Sequence, residues 1–486
     1  MGRRLAVKRN SLERAAEAAF VLAGMLALAA LVWHHMSILG DGFWSVATGR
    51  WLLAHHALPH ADPYSYASAG SRWTIDSCGR DTLFALITNA AGARGLMIAC
   101  AFVEWLAITL FWLRARTPLA RLALFPLALF YVQVDAQDLS ARGQVFGDLG
   151  FVFLMALLAR ARDGKRVHPL MVVLLAAAWT NLHLSFLITV TLPLAIAAML
   201  LLEPKGARPP PSRFLGMSAL AILGTFLNPY GPRYLRFALG IGFDPSTSNL
   251  DLFRSPDLHG GMWLLAPAIG LGLVIARGRY GDDRCRRAEQ ALLLAFIAAA
   301  CAGRRYSTEL VVVEAGIAAA LLERIDLRAS RARSLVPALQ GLASLAVLLF
   351  AIPALSEPRD PYRDVPVEAA VVAREEHEKL VGAGVLQSRI VDPLHWGGYL
   401  QYAWQGDPTY FVDGRDHLFL FGNGVFDDST TLWTGGAGWA QLLDTYEAGV
   451  VLWVRGTSLD AYLRQDPGWR LVHADRIAVV YVRARY

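Results

Sequence analysis

Residues 16–50 read AEAAFVLAGMLALAALVWHHMSILGDGFWSVATGR, and this stretch decides the fold class. From Ala16 to Trp33 the only charge is Glu17, and a bilayer-crossing helix needs about 20 predominantly apolar residues. The preceding MGRRLAVKRNSLER is basic, which mimics a signal peptide. No small-x-small cleavage site follows, so the tract reads as an uncleaved first span. Acids, imidazoles and aromatics come next: Asp41, Arg50, His55, His56, His60 and Asp62, interleaved with Phe43, Trp44, Trp51, Tyr64 and Tyr66.

Further apolar runs give about eleven expected spans, at 16–36, 83–112, 119–135, 143–159, 169–180, 182–202, 214–228, 262–276, 289–303, 306–322 and 335–352. The chain is 55% hydrophobic with mean hydropathy +0.38, above soluble averages. The run from 169 to 202 is too long for one span, and WTNLH (179–183) in its middle predicts a tight reversal. The net charge of +6 is scattered between apolar runs, which argues against a nucleic-acid-binding face. Cys78, Cys100, Cys285 and Cys301 have neither metal nor disulfide spacing.

Charge sets the expected sidedness. Segments 1–15, 113–121, 160–168, 203–213, 277–288 and 323–334 carry 5, 3, 4, 3, 5 and 4 basic residues, and cytoplasmic ends are enriched in Lys and Arg. The N-terminus is therefore expected inside. The expected domains are a transmembrane domain, 1–352, and an extracytoplasmic α/β domain, 353–486. In the latter, residues 366–380 predict a helix and SRIVD a strand. WGGYLQYAW predicts a helix, TYFVDGRD a strand and polar loop, GWAQLLDTYEAG a helix and VVLWVRG a strand. SLDAYLRQ predicts a helix with Ser458 as cap, and WRLVHADRIAVVYVR a hairpin. Asp413, Arg415, Asp416 and His417 read as an Asp-Gly turn closed by an ion pair, with ligand binding as the alternative.

The candidate chemistry lies in segments expected outside. Asp41 beside an aromatic loop could abstract a proton, bind a hydroxyl or hold a divalent cation; a solvated interfacial acid is the bland alternative. Arg142, Arg304 and Arg305 suit phosphate oxygens, or pair with Asp135, Asp138 and Glu309. His183 and Asn181 at the bend could meet a headgroup or close the turn. Asn228 opens NPYG, which reads first as a helix stop, and SPD (255–257) as a cap or turn. No hydrolase elbow, P-loop or zinc spacing occurs, so cytoplasmic ATP chemistry has no support.

Together with RGQVF (142–146), WTNLHLSF (179–186), NPYG, SPD, WGGYL (396–400) and FVDGRD (411–416), residues 39–66 resemble the multispanning GT-C glycosyltransferases. More closely, they resemble a bacterial family of inner-membrane proteins grouped near them. The resemblance implies an inner-membrane enzyme that takes a sugar from a polyprenyl-phosphate donor at the extracytoplasmic face and passes it to a glycan, lipid or protein acceptor. It implies that Asp41 is the essential acid of the first external loop, with Asp62 as a candidate second acid. Arg142, Arg304 and Arg305 would neutralise the leaving phosphate, and His183, Asn181 and Asn228 would meet acceptor or headgroup. Two departures stand out. Gly42, not a second acid, follows Asp41, which leaves a divalent cation open. After SRWT the family's His-Glu element is replaced by IDSCGRD, where Asp76 or Asp81 stands instead. The alternative function is a non-catalytic membrane protein that binds a lipid-linked glycan or a partner.

Overall fold

The computed structural model describes residues 2–135, 139–242, 262–281, 285–325, 335–356, 359–415 and 424–484. It divides into two compact units. Unit 1 comprises residues 1–36, 98–139 and 143–358; unit 2 comprises 37–97, 140–142 and 359–486. The second unit thus takes in the stretch after the first apolar tract as well as the C-terminal region.

Unit 1 is helical. Its helices are α1 (Gly2–His35), followed in the chain by α2 (Gly40–His55) of unit 2, and the distal half of α3 (Cys78–Trp112). Then come α4 (Pro118–Asp135), α5 (Gln144–Arg162), α6 (Pro169–Leu182), α7 (Ile188–Met199) and α8 (Ser212–Thr225). The last are α9 (Pro232–Gly242), α10 (Met262–Tyr280), α11 (Arg286–Ala302), α12 (Ser307–Leu322) and α13 (Leu335–Ser356). Helix α1 packs along α13, and α10, α11 and α12 pack together. Gly24 of α1 leaves room for the rings of Trp112 and Phe125, which cluster with Phe20.

The outward faces are apolar. In α13, Gln340 and Ser344 are buried, whereas Leu349 is 67% and Phe350 80% exposed. That inverts a soluble helix and suits hydrocarbon, where polar groups must find partners inside the bundle.

The expected eleven spans need correction. Among the described residues, five segments are long and apolar enough to cross a membrane: Ser11–His35, Cys78–Trp112, Gln144–Arg162, Leu184–Leu202 and Leu335–Ser356. Pro118–Val134 and Pro169–Leu182 are shorter apolar helices. Other counted runs form helices of only 14, 17 and 16 residues, in α8, α11 and α12. Hydropathy sees the apolar run, but the helix stops where a turn consumes its ends.

The break expected at WTNLH is present. Helix α6 ends at Leu182, His183 is extended, and a 3₁₀ turn (Leu184–Leu187) leads into α7. Both α6 and α7 pack on α8.

Among the described residues, bonds join several of the basic segments within unit 1 in two sets, 113–121 with 323–334, and 160–168 with 203–213 and 277–288. Arg121 pairs with Glu17. The Arg116 N–H donates to Glu323 at 2.7 Å, Arg162 pairs with Glu289 at 2.7 Å, and Arg213 donates to the Ala161 carbonyl at 2.9 Å. Glu203 accepts from the Ala288 N–H at 2.9 Å. These bonds gather the helix ends that carry them, whose residues alternate in the chain with the segments expected on the other face.

Unit 2 contains α2, the proximal half of α3, α14 (Val367–Gly382) and α15 (Leu394–Trp404). Shorter helices follow at Val425–Thr434, Trp439–Thr445 and Ser458–Gln465. Its sheet has strands β1 (Arg389–Val391), β2 (Ala448–Val454), β3 (Trp469–Ala474) and β4 (Ala478–Arg483), in the order β1-β2-β4-β3. Strand β1 runs parallel to β2; the other pairs are antiparallel. Central β2 and β4 are almost wholly apolar and buried, while β3 at the edge carries Arg470 and His473, as burial on both faces requires of inner strands.

Two local expectations change. TYFVDGRD forms no strand over its described residues; Tyr410 makes an isolated bridge to Ser65. Ser458 does not cap its helix: Thr457 holds the cap position, and Asp460 accepts the Gly456 N–H at 2.8 Å.

The glycines of WGGYL have a packing reason. A Cβ on Gly398 would collide with the Gly40 carbonyl, and one on Gly397 with the Val412 carbonyl. Helices α2 and α15 therefore cross at backbone contact, with Phe43 against Tyr362, Tyr399 and Tyr402. Gly398→Val is expected to lower stability by about 1–3 kcal/mol or more, the penalty for overpacking. Thermal unfolding of the purified variant in detergent checks this; an unchanged midpoint would refute the close crossing.

Candidate functional site

The stretch expected as an external loop is helical at its start. Asp41 sits in the first turn of α2, where the helix dipole favours an anion. Trp44, one turn on, donates its Nε1–H to Asp41 Oδ1 at 3.3 Å. The residue is half-buried. Desolvation nevertheless raises the carboxyl pKa above the ordinary aspartate value, against the lowering pull of Arg142, the Trp44 bond and Arg80. Burial outweighs the charges because the opposing guanidiniums do not form a close pair with this carboxylate.

Arg142 comes from a distant part of the chain. Residues 140–142 lie against 37–42: Ser37 and Ser140 form a parallel bridge, and the Ala141 N–H donates to the Ser37 carbonyl at 2.8 Å. Gly42 allows this, since a Cβ there would meet the Ala141 carbonyl. The arrangement aims the Arg142 charge at Asp41. The Arg142 Nε is buried with no hydrogen-bond partner, so a donor waits beside the acid.

Arg80, not singled out from sequence, completes the surroundings. It lies over the Trp44 ring at 5.0 Å and forks between Asp76 and Asp81, at 3.0 and 2.8 Å. The two acids that stand in the place of the His-Glu element thus share the one arginine between them. The signal was DSCGRD itself, in which Asp76 and Arg80 are one helical turn apart.

Those contacts test a cation at Asp41. Among the described residues no three His, Cys, Asp or Glu side chains gather as a metal set. The other nearby acid, Asp76, is held by Arg80. One carboxylate facing two guanidiniums does not fit a divalent ion, which asks for several oxygen ligands.

Asp62 lies elsewhere in unit 2. Its oxygens accept from Tyr64 N (3.1 Å), Ser65 N (3.3 Å) and Ser68 Oγ. They also accept both terminal nitrogens of Arg415, at 2.7 and 3.2 Å. Arg415 in turn holds Asp413 at 2.7 Å, and all three side chains are fully buried. The guanidinium stacks over Trp73 at 4.6 Å and Tyr64 at 5.4 Å. With both oxygens engaged, Asp62 has no lone pair positioned to serve as a second base. The Asp413–Arg415 pair is the ion-paired turn expected from DGR, extended by an acid 353 residues away. Gly414 between them faces Asp41 Oδ1, 2.9 Å from where a Cβ would sit. Asp416 and His417 lie outside the described residues, as do SPD (255–257), Asp138 and the side chain of Asp135.

The remaining candidates belong to unit 1. Asn181 donates to the Ala177 and Leu227 carbonyls at 2.8 and 2.7 Å. Asn228 accepts the Tyr230 N–H and donates to the Thr225 carbonyl at 2.8 and 2.6 Å, closing the NPYG turn. His183 Nδ1 lies 2.7 Å from Ser185 Oγ, at the break before α7. These three groups hold turns. Arg304 and Arg305 occupy a 3₁₀ turn between α11 and α12, Arg304 over Trp263 and Arg305 over Tyr306.

The fold resembles archaeal oligosaccharyltransferases. One match is the crystal structure of the Archaeoglobus fulgidus oligosaccharyltransferase tethered to an acceptor peptide containing the NVT sequon. There the TM-score is 0.54 at 12% identity, over 88% of this chain and 68% of that one. A second is AglB from the same organism in complex with an inhibitory peptide and a dolichol-phosphate, with TM-score 0.54 and 11% identity over 90% and 69%. By sequence, no family model and no curated protein matches. At this identity the likeness concerns the fold alone.

Arg415→Met leaves Asp62 and Asp413 buried without their cation. It is expected to destabilise the protein by about 3–5 kcal/mol, as loss of one partner from a buried ion pair does. Denaturant unfolding followed by Trp fluorescence reads it, and a loss within error of zero would contradict the clamp.

Proposed function

We propose that this chain is a GT-C-type glycosyltransferase that moves a sugar from a polyprenyl-phosphate-linked donor to an acceptor at the extracytoplasmic face. The observation that carries the reading is the half-buried Asp41, with its raised pKa, facing Arg142, whose Nε has no partner. The fold likeness to an enzyme caught with an acceptor peptide and with dolichol-phosphate supports the substrate class. Acceptor identity stays at glycan, lipid or protein, and the membrane is a bacterial inner membrane by the resemblance.

In this mechanism an acceptor hydroxyl or amide attacks the anomeric carbon. Its proton passes to an Asp41 oxygen, and the bond from carbon to the polyprenyl-phosphate oxygen breaks. That oxygen keeps the electron pair and leaves as phosphate. Arg142 donates to it, a charge-assisted contact that strengthens as negative charge develops. Arg304 and Arg305, in the 3₁₀ turn of unit 1, are proposed as phosphate-binding cations by the resemblance alone. Asp62, Asn181, His183 and Asn228 support the scaffold through the bonds described above.

The decisive experiment is a donor screen with the purified protein in liposomes, reading mass gain on candidate acceptors. Asp41→Asn is expected to lower turnover by about 10²–10⁴-fold, the usual contribution of a general base, with unfolding midpoint and donor binding retained. Equal turnover in wild type and variant rejects Asp41 as the base. Wild-type donor binding without transfer to any acceptor would instead favour the non-catalytic lipid-linked-glycan binder.

The pH profile gives an independent check. A base works deprotonated, so activity falls as pH drops through the Asp41 pKa. Because burial raises that pKa, the acid limb of kcat/KM is expected above the ordinary aspartate value of about 3.9. A limb at or below that value contradicts the desolvated acid. Arg142→Lys keeps the charge but loses the planar fork, and is expected to raise KM for the donor.

A further inference from the structure

Unit 1 contains two cavities that share a wall. The first, about 100 Å³, lies among α5, α7, α11 and α12 and is mainly apolar, with Leu158, Ile196, Phe214, Leu292 and Ile317 in its lining. The second, about 180 Å³, is polar and is lined by Arg162, Arg277, Arg324, Asp163 and Glu289. Arg162 and Glu289 line both. Together the walls hold four cations, counting Arg114 of the apolar cavity, against two anions.

Arg114 is the telling residue. It follows α3, lines the apolar cavity and is half-buried. Its guanidinium makes no hydrogen bond or ion pair with another described residue. Burial and the neighbouring Arg162 both lower its pKa below the ordinary arginine value; it remains charged. A guanidinium in such surroundings calls for an anion.

A free phosphate would satisfy Arg114 and leave the apolar cavity unfilled. A plain hydrocarbon chain would fill the cavity and leave Arg114 unpaired. We propose that the paired cavities bind one anionic phospholipid, with its phosphate at Arg114 and the arginine-lined cavity and part of an acyl chain in the apolar cavity. Basic pockets between membrane helices recognise anionic head groups by this division of labour. Gly316 marks the open space: it lines the apolar cavity, and a Cβ added there meets no atom within 4 Å.

The test does not read sugar transfer. The full chain, purified in detergent, is equilibrated with equimolar phosphatidylglycerol and phosphatidylcholine, washed, and its retained lipid measured by mass spectrometry. Phosphatidylglycerol is expected to be held in preference by roughly tenfold. Arg114→Ala and Gly316→Leu, whose Cβ meets no atom within 4 Å and whose further carbons take up cavity space, are each expected to remove that preference. Arg114→Lys is expected to keep part of it. Equal retention of the two lipids, or unchanged preference in Arg114→Ala, overturns the site. If Gly316→Leu retains the preference while inorganic phosphate displaces the lipid, the cavity takes a phosphate anion alone and the lipid assignment falls. Unfolding midpoints near wild type for both variants separate lost binding from lost folding.

Discussion

A buried guanidinium organises the second unit. Arg415 is surrounded by two carboxylates and two aromatic faces, with no exposure to water. Removing a cation and two anions from water is strongly unfavourable unless geometry repays it. Here nearly every polar atom of the cluster finds a partner: the backbone N–H groups of Tyr64 and Ser65 satisfy Asp62, and the Arg415 N–H and Tyr410 hydroxyl satisfy Asp413. The cluster therefore works as a register lock. It joins residues 62–73 to residues 410–415, and it fixes Gly414 where its α-carbon faces Asp41.

Around that lock, close backbone approach does the rest. Gly40 and Gly398 bring α2 and α15 together, and Gly42 admits the Ala141 carbonyl. The latter contact delivers Arg142 to Asp41. The acid centre is thus assembled from three parts of the chain: the start of α2, the start of α3 and residues 140–142. A half-buried acid facing a guanidinium with an unsatisfied N–H is an arrangement strained toward a ligand, because the orphan donor is satisfied only when an acceptor arrives.

Much of this was legible in the residues. The break at WTNLH, the hairpin of 469–483 and the helices expected at 366–380, 396–404 and 458–465 follow from periodicity and turn chemistry, and the structure has them, the first two helices at Val367–Gly382 and Leu394–Trp404. The count of spans did not survive. Apolar composition measures how a segment partitions, whereas span length depends on how far the helix itself runs, as in α8, which stops after 14 residues. TYFVDGRD looked like a strand because its residues favour extended backbone, yet its polar groups bond to side chains of Asp392 and Arg415 in place of a ladder.

By itself the sequence determined that the chain is a helical membrane protein with a mixed C-terminal sheet, because partitioning and local propensity act over windows of ten or twenty residues. It also marked Asp41 and Arg142 as unusual, since charges beside apolar tracts need a reason. Tertiary structure alone decided their partners. Asp62 and Arg415 stand 353 positions apart, and two charges so distant in the chain reveal their pairing only once folding has closed the distance and excluded the water that would otherwise screen them. The same exclusion separates Asp62, whose oxygens are all spoken for, from Asp41, whose carboxyl is left half-open to what comes next.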